Sequence, residues 1–194
     1  MANKTLSILV AGPDAASVRP LVEGLSATGV KVTAVEGFAD LSARAAALAP
    51  DAVVAALGDA DRATLDGLLQ LARSGGCAVV LFADRAEPGV TAAAVEAGVA
   101  SFVVDGLRPD RVRPIVDTAL SRFAAFETLK RERDEARTQL AERKLIERAK
   151  GILMQQKSLT EEQAYTALRK AAMRQGRRIA DIAQSIITAS QIEF

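Results

Sequence analysis

Five short runs of apolar residues, many of them β-branched, alternate with four segments of helical period or alanine-rich composition in the first half of this 194-residue chain. No other feature narrows the possible folds as much. The runs lie at 6–11, 31–35, 52–57, 77–82 and 101–104, and the helical segments at 17–28, 40–48, 63–73 and 90–97. Parallel strands cannot be joined by tight turns and need crossover segments, usually helices. The alternation therefore predicts an α/β fold with a parallel five-stranded sheet covered on both faces. The third and fourth runs, AVVAAL and CAVVLF, are apolar throughout, as strands buried on both sides are. Cys77, the only cysteine, opens the fourth run and reads as a buried strand residue rather than a reactive thiol. A single cysteine also excludes an internal disulfide framework.

The last third obeys a different period. Its apolar residues recur at helical spacing in three groups: Leu145, Ile146, Ala149, Ile152 and Leu153; Ala164, Tyr165, Leu168, Ala171 and Ala172; Ile179, Ile182, Ala183, Ile186 and Ile187. Three short amphipathic helices are predicted. Thr160 with Gln163 three residues later is a capping box opening the second, and Gly176 suits the left-handed position closing it. Each helix has one apolar stripe, so the three must pack together into an all-α three-helix bundle. From position 143 to 178 ten Lys or Arg stand against three Glu, which makes the outer faces basic. The spacing turns Lys150, Arg169 and Lys170 outward. Gly151 sits inside the first helix, where glycine costs about 1 kcal/mol relative to alanine. Its presence predicts a close approach to its backbone, by a packed helix or by a nucleic acid.

The run Glu147-Arg148-Ala149-Lys150-Gly151-Ile152-Leu153-Met154, then Thr160-Glu161-Glu162-Gln163-Ala164-Tyr165, then Leu168-Arg169-Lys170-Ala171-Ala172 and Ile179-Ala180-Asp181-Ile182-Ala183, resembles the ANTAR domain, the RNA-binding output module of bacterial antitermination regulators. The likeness covers roughly the last 55 residues without a gap. It implies an RNA-binding face, for which the candidates are Lys144, Arg148, Lys150, Gly151, Lys157, Arg169, Lys170, Arg174, Arg177 and Arg178.

The first half resembles the receiver domain of two-component response regulators, a flavodoxin-like fold, and in particular the receiver-like domains of the NasT and AmiR type. In a sheet of this kind ligands sit at the carboxyl ends of the strands. The resemblance implies an acidic pair there for Mg²⁺, a phosphate-accepting aspartate, a Ser or Thr, and a lysine. This chain has Gly12 and Pro13 at the pair, Ala56 at the acceptor, Ala83 at the hydroxyl and Asp105 at the lysine. A pseudo-receiver without a phosphorylation site is expected. Asp14 and Asp59 lie close by, but Asp14 reads as a turn or helix-start residue and Asp59 as loop chemistry.

Residues 111–143 carry Pro114 near their start and no glycine, which predicts one long helix. Val112, Ile115, Ala119, Phe126, Leu129, Ala136 and Leu140 follow a heptad, broken by Arg122 and Arg133. The first part is expected to pack on the sheet. Beyond it, Phe126, Leu129, Ala136 and Leu140 form either a parallel coiled-coil dimer seam or a surface for the chain's own terminal helices. The expected organisation is a receiver-like domain over 1–122, a coiled-coil linker helix over 123–140 and an ANTAR domain over 141–194.

Charge and composition bear on function. Residues 1–110 carry 8 basic and 13 acidic side chains, net −5, and residues 111–194 carry 17 and 11, net +6. Such a division fits a polyanion partner for the second half only. The chain has no histidine, so the commonest general base and metal ligand is missing. No enzyme, cofactor or metal is expected, and neither a membrane nor a DNA partner. The short apolar runs and an N-terminus leading straight into a strand point to a cytoplasmic protein. The resemblance implies an RNA-binding antitermination regulator that binds hairpins in nascent leader mRNA and prevents terminator formation. It also implies control by a small-molecule-binding sensor protein of nitrate, nitrite or amide metabolism. The heptad seam at Phe126, Leu129, Ala136 and Leu140 points to a homodimer, constitutive or RNA-induced. The other reading is a signalling adaptor whose helical tail binds another protein.

Overall fold

A computed structural model describes residues 5–26, 29–58, 62–86 and 89–191. The chain divides into two compact units, Met1–Thr128 and Leu129–Phe194. In the first, strands β1 (Leu6–Gly12), β2 (Val30–Glu36), β3 (Ala52–Ala56), β4 (Ala78–Ala83) and β5 (Ser101–Val104) form one sheet. The order is β2-β1-β3-β4-β5, and every pairing is parallel. Helices α1 (Ala15–Leu25), α2 (Leu41–Leu48), α3 (Arg62–Ser74) and α4 (Val90–Glu96) fill the crossovers, and α5 (Pro109–Lys157) follows β5. Successive strand residues point to opposite faces, and the core divides accordingly. Leu9, Val53, Ala55, Val79 and Leu81 meet Leu41, Leu68 and Leu71 on one side. Ile8, Val10, Val54, Val80 and Phe82 meet Val18, Leu21, Leu25, Val112 and Val116 on the other. Gly24 explains how closely α1 and α5 approach. A Cβ there would run into the Pro109 carbonyl oxygen and lie 2.8 Å from the Val112 Cβ.

In the second unit, the end of α5 packs with α6 (Glu161–Gln175) and α7 (Ile179–Ser190). The first of the three expected short helices is not a separate element. It is the last part of α5, which runs unbroken for 49 residues because nothing between Pro114 and Lys157 stops it. The other two boundaries follow the sequence. Gln163 N–H donates to Thr160 Oγ1 and Thr160 N–H to Gln163 Oε1, completing the capping box, and Gly176 closes α6 at φ 61°. Ala149, Leu168, Ala172, Ile182, Ala183 and Ile187 are the buried centre. No described helix is long and apolar enough to cross a membrane.

Candidate functional site

Two surfaces are candidates: the carboxyl edge of the sheet and the outer face of the three-helix unit. The parallel register brings Gly12, Ala56 and Ala83 to the ends of adjacent strands, with Asp105 directly after β5. The Asp105 N–H donates to the Ala83 carbonyl at 3.0 Å, in a left-handed backbone (φ 51°). Space at Gly12 is already taken, since a Cβ there would lie 2.9 Å from Val18 Cγ2 on α1. Asp14 caps α1, accepting from the Ser17 N–H at 2.8 Å and the Ser17 hydroxyl at 2.9 Å. These bonds, the backbone one first, hold its carboxyl below the usual aspartate range. Its Oδ1 is therefore engaged at the helix start, one of the two readings the sequence allowed. Asp59 lies outside the described residues. Among those residues no group of three or more His, Cys, Asp or Glu is placed to hold a metal ion.

On the helical unit, Lys144, Arg148, Lys157, Arg169, Lys170, Arg174 and Arg177 are exposed. None of the seven forms an ion pair among the described residues. Arg178 is also exposed but engaged: it bonds Asp181 from its own helix start at 3.1 Å and Glu142 on α5 at 2.9 Å. Asp181 and then Glu142 raise its pKa, and Arg178 lowers that of Asp181. The pair fastens the start of α7 to α5.

Lys150 corrects the sequence reading. Expected on the outward side, it is 7% exposed, the one buried charged side chain among the described residues. Its Nζ donates to Glu161 Oε1 at 2.6 Å and to both Glu147 oxygens at 2.9 and 3.0 Å. The Glu161 bond, then that of Glu147, pushes the ammonium pKa up against the opposing effect of burial. The same bond holds the Glu161 carboxyl below its ordinary range. Lys150 is therefore a clamp between α5 and α6. The reason lies in spacing: position 150 is four residues after Ile146 and three before Leu153, on the flank of the inward stripe. Glu147, three residues away, was the available signal for the pairing. Glu147 and Glu161 entered the sequence reading only as part of the family motif, and Glu142 not at all.

Two further expectations change. Nothing lies within 4 Å of a Cβ built on Gly151, so no packed helix of this chain accounts for that glycine. Tyr165, assigned to the inward stripe of α6, is 43% exposed, while Ala164 and Leu168 beside it are buried. Leu145, Ile146, Ile152, Leu153 and the α7 stripe do pack inward as expected. In the linker region of α5, Phe126 (62%), Leu129 (64%) and Leu140 (54%) are exposed, as is Ala136.

Comparison with known proteins agrees with this division. Residues 134–187 match the ANTAR domain family. A stretch of 53 residues is 47% identical to the nitrate regulatory protein of Klebsiella oxytoca; it is 27% of this chain but only 13% of that protein's length. The transcriptional regulatory protein PdtaR of Mycobacterium tuberculosis is 26% identical over 167 residues, covering 86% of this chain and 82% of PdtaR. A response regulator of Thermotoga maritima superposes on 60% of the chain, and 98% of its own, with a TM-score of 0.53 at 14% identity. That last likeness concerns the fold alone. The chain thus joins a receiver-like α/β fold to a C-terminal segment, residues 134–187, that matches the ANTAR domain family, and its relatives are regulatory proteins.

Proposed function

We propose that this chain is a transcription antitermination regulator whose ANTAR domain binds hairpins in nascent leader mRNA and so keeps a competing terminator from forming. The observation that carries the reading is the set of seven exposed cations, Lys144, Arg148, Lys157, Arg169, Lys170, Arg174 and Arg177, without ion pairs among the described residues, on the unit that matches the ANTAR family. Lys and Arg neutralising phosphates supply most sequence-independent affinity for nucleic acid. Hairpin loops add unpaired bases that side chains can stack on or bond. In this reading Lys150 and Arg178 position the helices, and the receiver-like domain is an unphosphorylated docking surface for a sensor protein of nitrate, nitrite or amide metabolism. The nitrate reading is supported only by the relative named for it.

The direct test is binding to a leader hairpin recovered with the tagged protein from its own cells. Arg169→Ala is expected to weaken that binding by about 1–3 kcal/mol, with unchanged far-UV circular dichroism, and affinity is expected to fall steeply with salt. Equal binding by parent and variant would move the interface elsewhere and favour an adaptor whose tail meets a protein.

The exposed residues Phe126, Leu129, Ala136 and Leu140 on α5 are proposed to form the seam of a parallel coiled-coil homodimer. Phe126→Glu with Leu129→Glu is expected to give a folded monomer. Sedimentation showing the parent monomeric at all concentrations, with and without RNA, would refute the seam.

A further inference from the structure

We infer that Tyr165 is a stacking platform for an unpaired base of the bound RNA, an inference that rests on the RNA-binding reading above. Single exposed apolar residues are ordinary, so exposure alone carries nothing. The surroundings of this ring do. Tyr165 is 43% exposed on α6 between buried Ala164 and buried Leu168, which anchors its backbone while leaving a ring face to solvent. Arg169, one turn later, is exposed and without an ion pair among the described residues. Glu161, one turn earlier, would repel phosphate, but Lys150 at 2.6 Å, which it shares with Glu147, offsets part of its charge. Glu162, three residues before the ring, is exposed and without an ion pair among the described residues, which places the phosphates on the Arg169 side.

The clamp adds a second element. It ties position 150 of α5 to position 161 of α6, and the next residue on α5 is Gly151, with no atom within 4 Å of its would-be Cβ. A half-buried glycine with room at its Cβ position and an aromatic ring are thus held on helices whose register the clamp fixes. A nucleotide with its base on the ring and its phosphate at Arg169 fits this arrangement, because every base has a π-face and aromatic stacking tolerates sequence. A protein helix is the competing occupant.

The chain has one tyrosine and no tryptophan, so its ultraviolet-excited emission reports on this ring alone. The full chain is mixed with a pool of RNA stem-loops of randomised loop, and retained sequences are amplified. One selected stem-loop is then titrated against tyrosine emission, with the same stem as a blunt duplex for comparison. The stem-loop is expected to quench emission with the midpoint of filter retention, and the duplex to leave it unchanged beyond absorption. Tyr165→Phe is expected to keep the parent affinity. Tyr165→Leu is expected to lose about tenfold or more with the salt slope unchanged, whereas Arg169→Ala lowers the slope. Retention without quenching, or parent affinity in Tyr165→Leu, overturns the stacking role while RNA binding stands. Failure to retain any stem-loop overturns both. Should Tyr165→Leu melt early, the Phe variant and the quenching decide.

Discussion

The carboxyl edge of the sheet and the outer face of the three-helix unit are the two surfaces where their folds would meet a partner, and they carry opposite content. At the edge, backbone geometry is intact while the side chains are Gly12, Pro13, Ala56 and Ala83, with Val18 filling the space beside Gly12. On the helical unit the backbone is simple, three helices about a small core, and the outward side chains are crowded with cations. A sheet's register depends on inward apolar residues, so its edge can lose every polar group without cost to folding. A basic face is different. Like charges at close range oppose compactness, so their concentration on one small unit fits a polyanionic partner better than a requirement of folding.

Ala149→Asp gives the largest expected effect. Ala149 is fully buried, and an unpaired carboxylate there is expected to cost about 3–5 kcal/mol, unfolding the residues of the Leu129–Phe194 unit in solution while hydrogen exchange in β1, β3 and β4 stays slow. Loss of protection throughout the sheet would show that the two units are not separately stable.

A smaller effect is expected at the clamp. Lys150→Ala leaves Glu147 and Glu161 facing each other without their cation, so melting temperature and hairpin affinity are expected to fall together, unlike in Arg169→Ala, where affinity alone falls. Parent-like melting would return Lys150 to the outer face. The pH dependence follows from the directions. Glu161 is depressed, so its contribution is present above the ordinary 4.5 and is lost as pH falls through the lower folded value. Lys150 is raised, so its contribution is present below 10.5 and is lost as pH climbs through the higher folded value. The melting difference between parent and Lys150→Ala is therefore expected to be flat near neutrality and to shrink at both extremes. Glu161 is 71% exposed, so the change is expected to be modest.

No change at all is expected at the sheet edge. Acetyl phosphate with Mg²⁺ is expected to leave the intact mass of the protein unaltered. One stable phosphoryl increment on Asp14 or Asp59 would refute the unphosphorylated reading.

By itself the sequence determined the strand runs, their parallel pairing and the two-sided core, while their order was read from the structure. Continuous apolar runs permit only a covered sheet, and crossover helices permit only parallel pairing. It also determined the α6 boundaries, since Thr160, Gln163 and Gly176 act locally. What only the tertiary structure decided lies at the margins of helical stripes. Position 150 is one residue from Ala149 and position 165 one residue from Ala164, and spacing within one helix cannot say how far its neighbour reaches around it. In the fold, Glu161 on α6 reaches Lys150 and draws it in, while Tyr165 is left half in solvent. Sequence period fixes the centre of a buried face; the packing of the second helix fixes its edges, and there a lysine taken for a surface charge becomes an internal clamp.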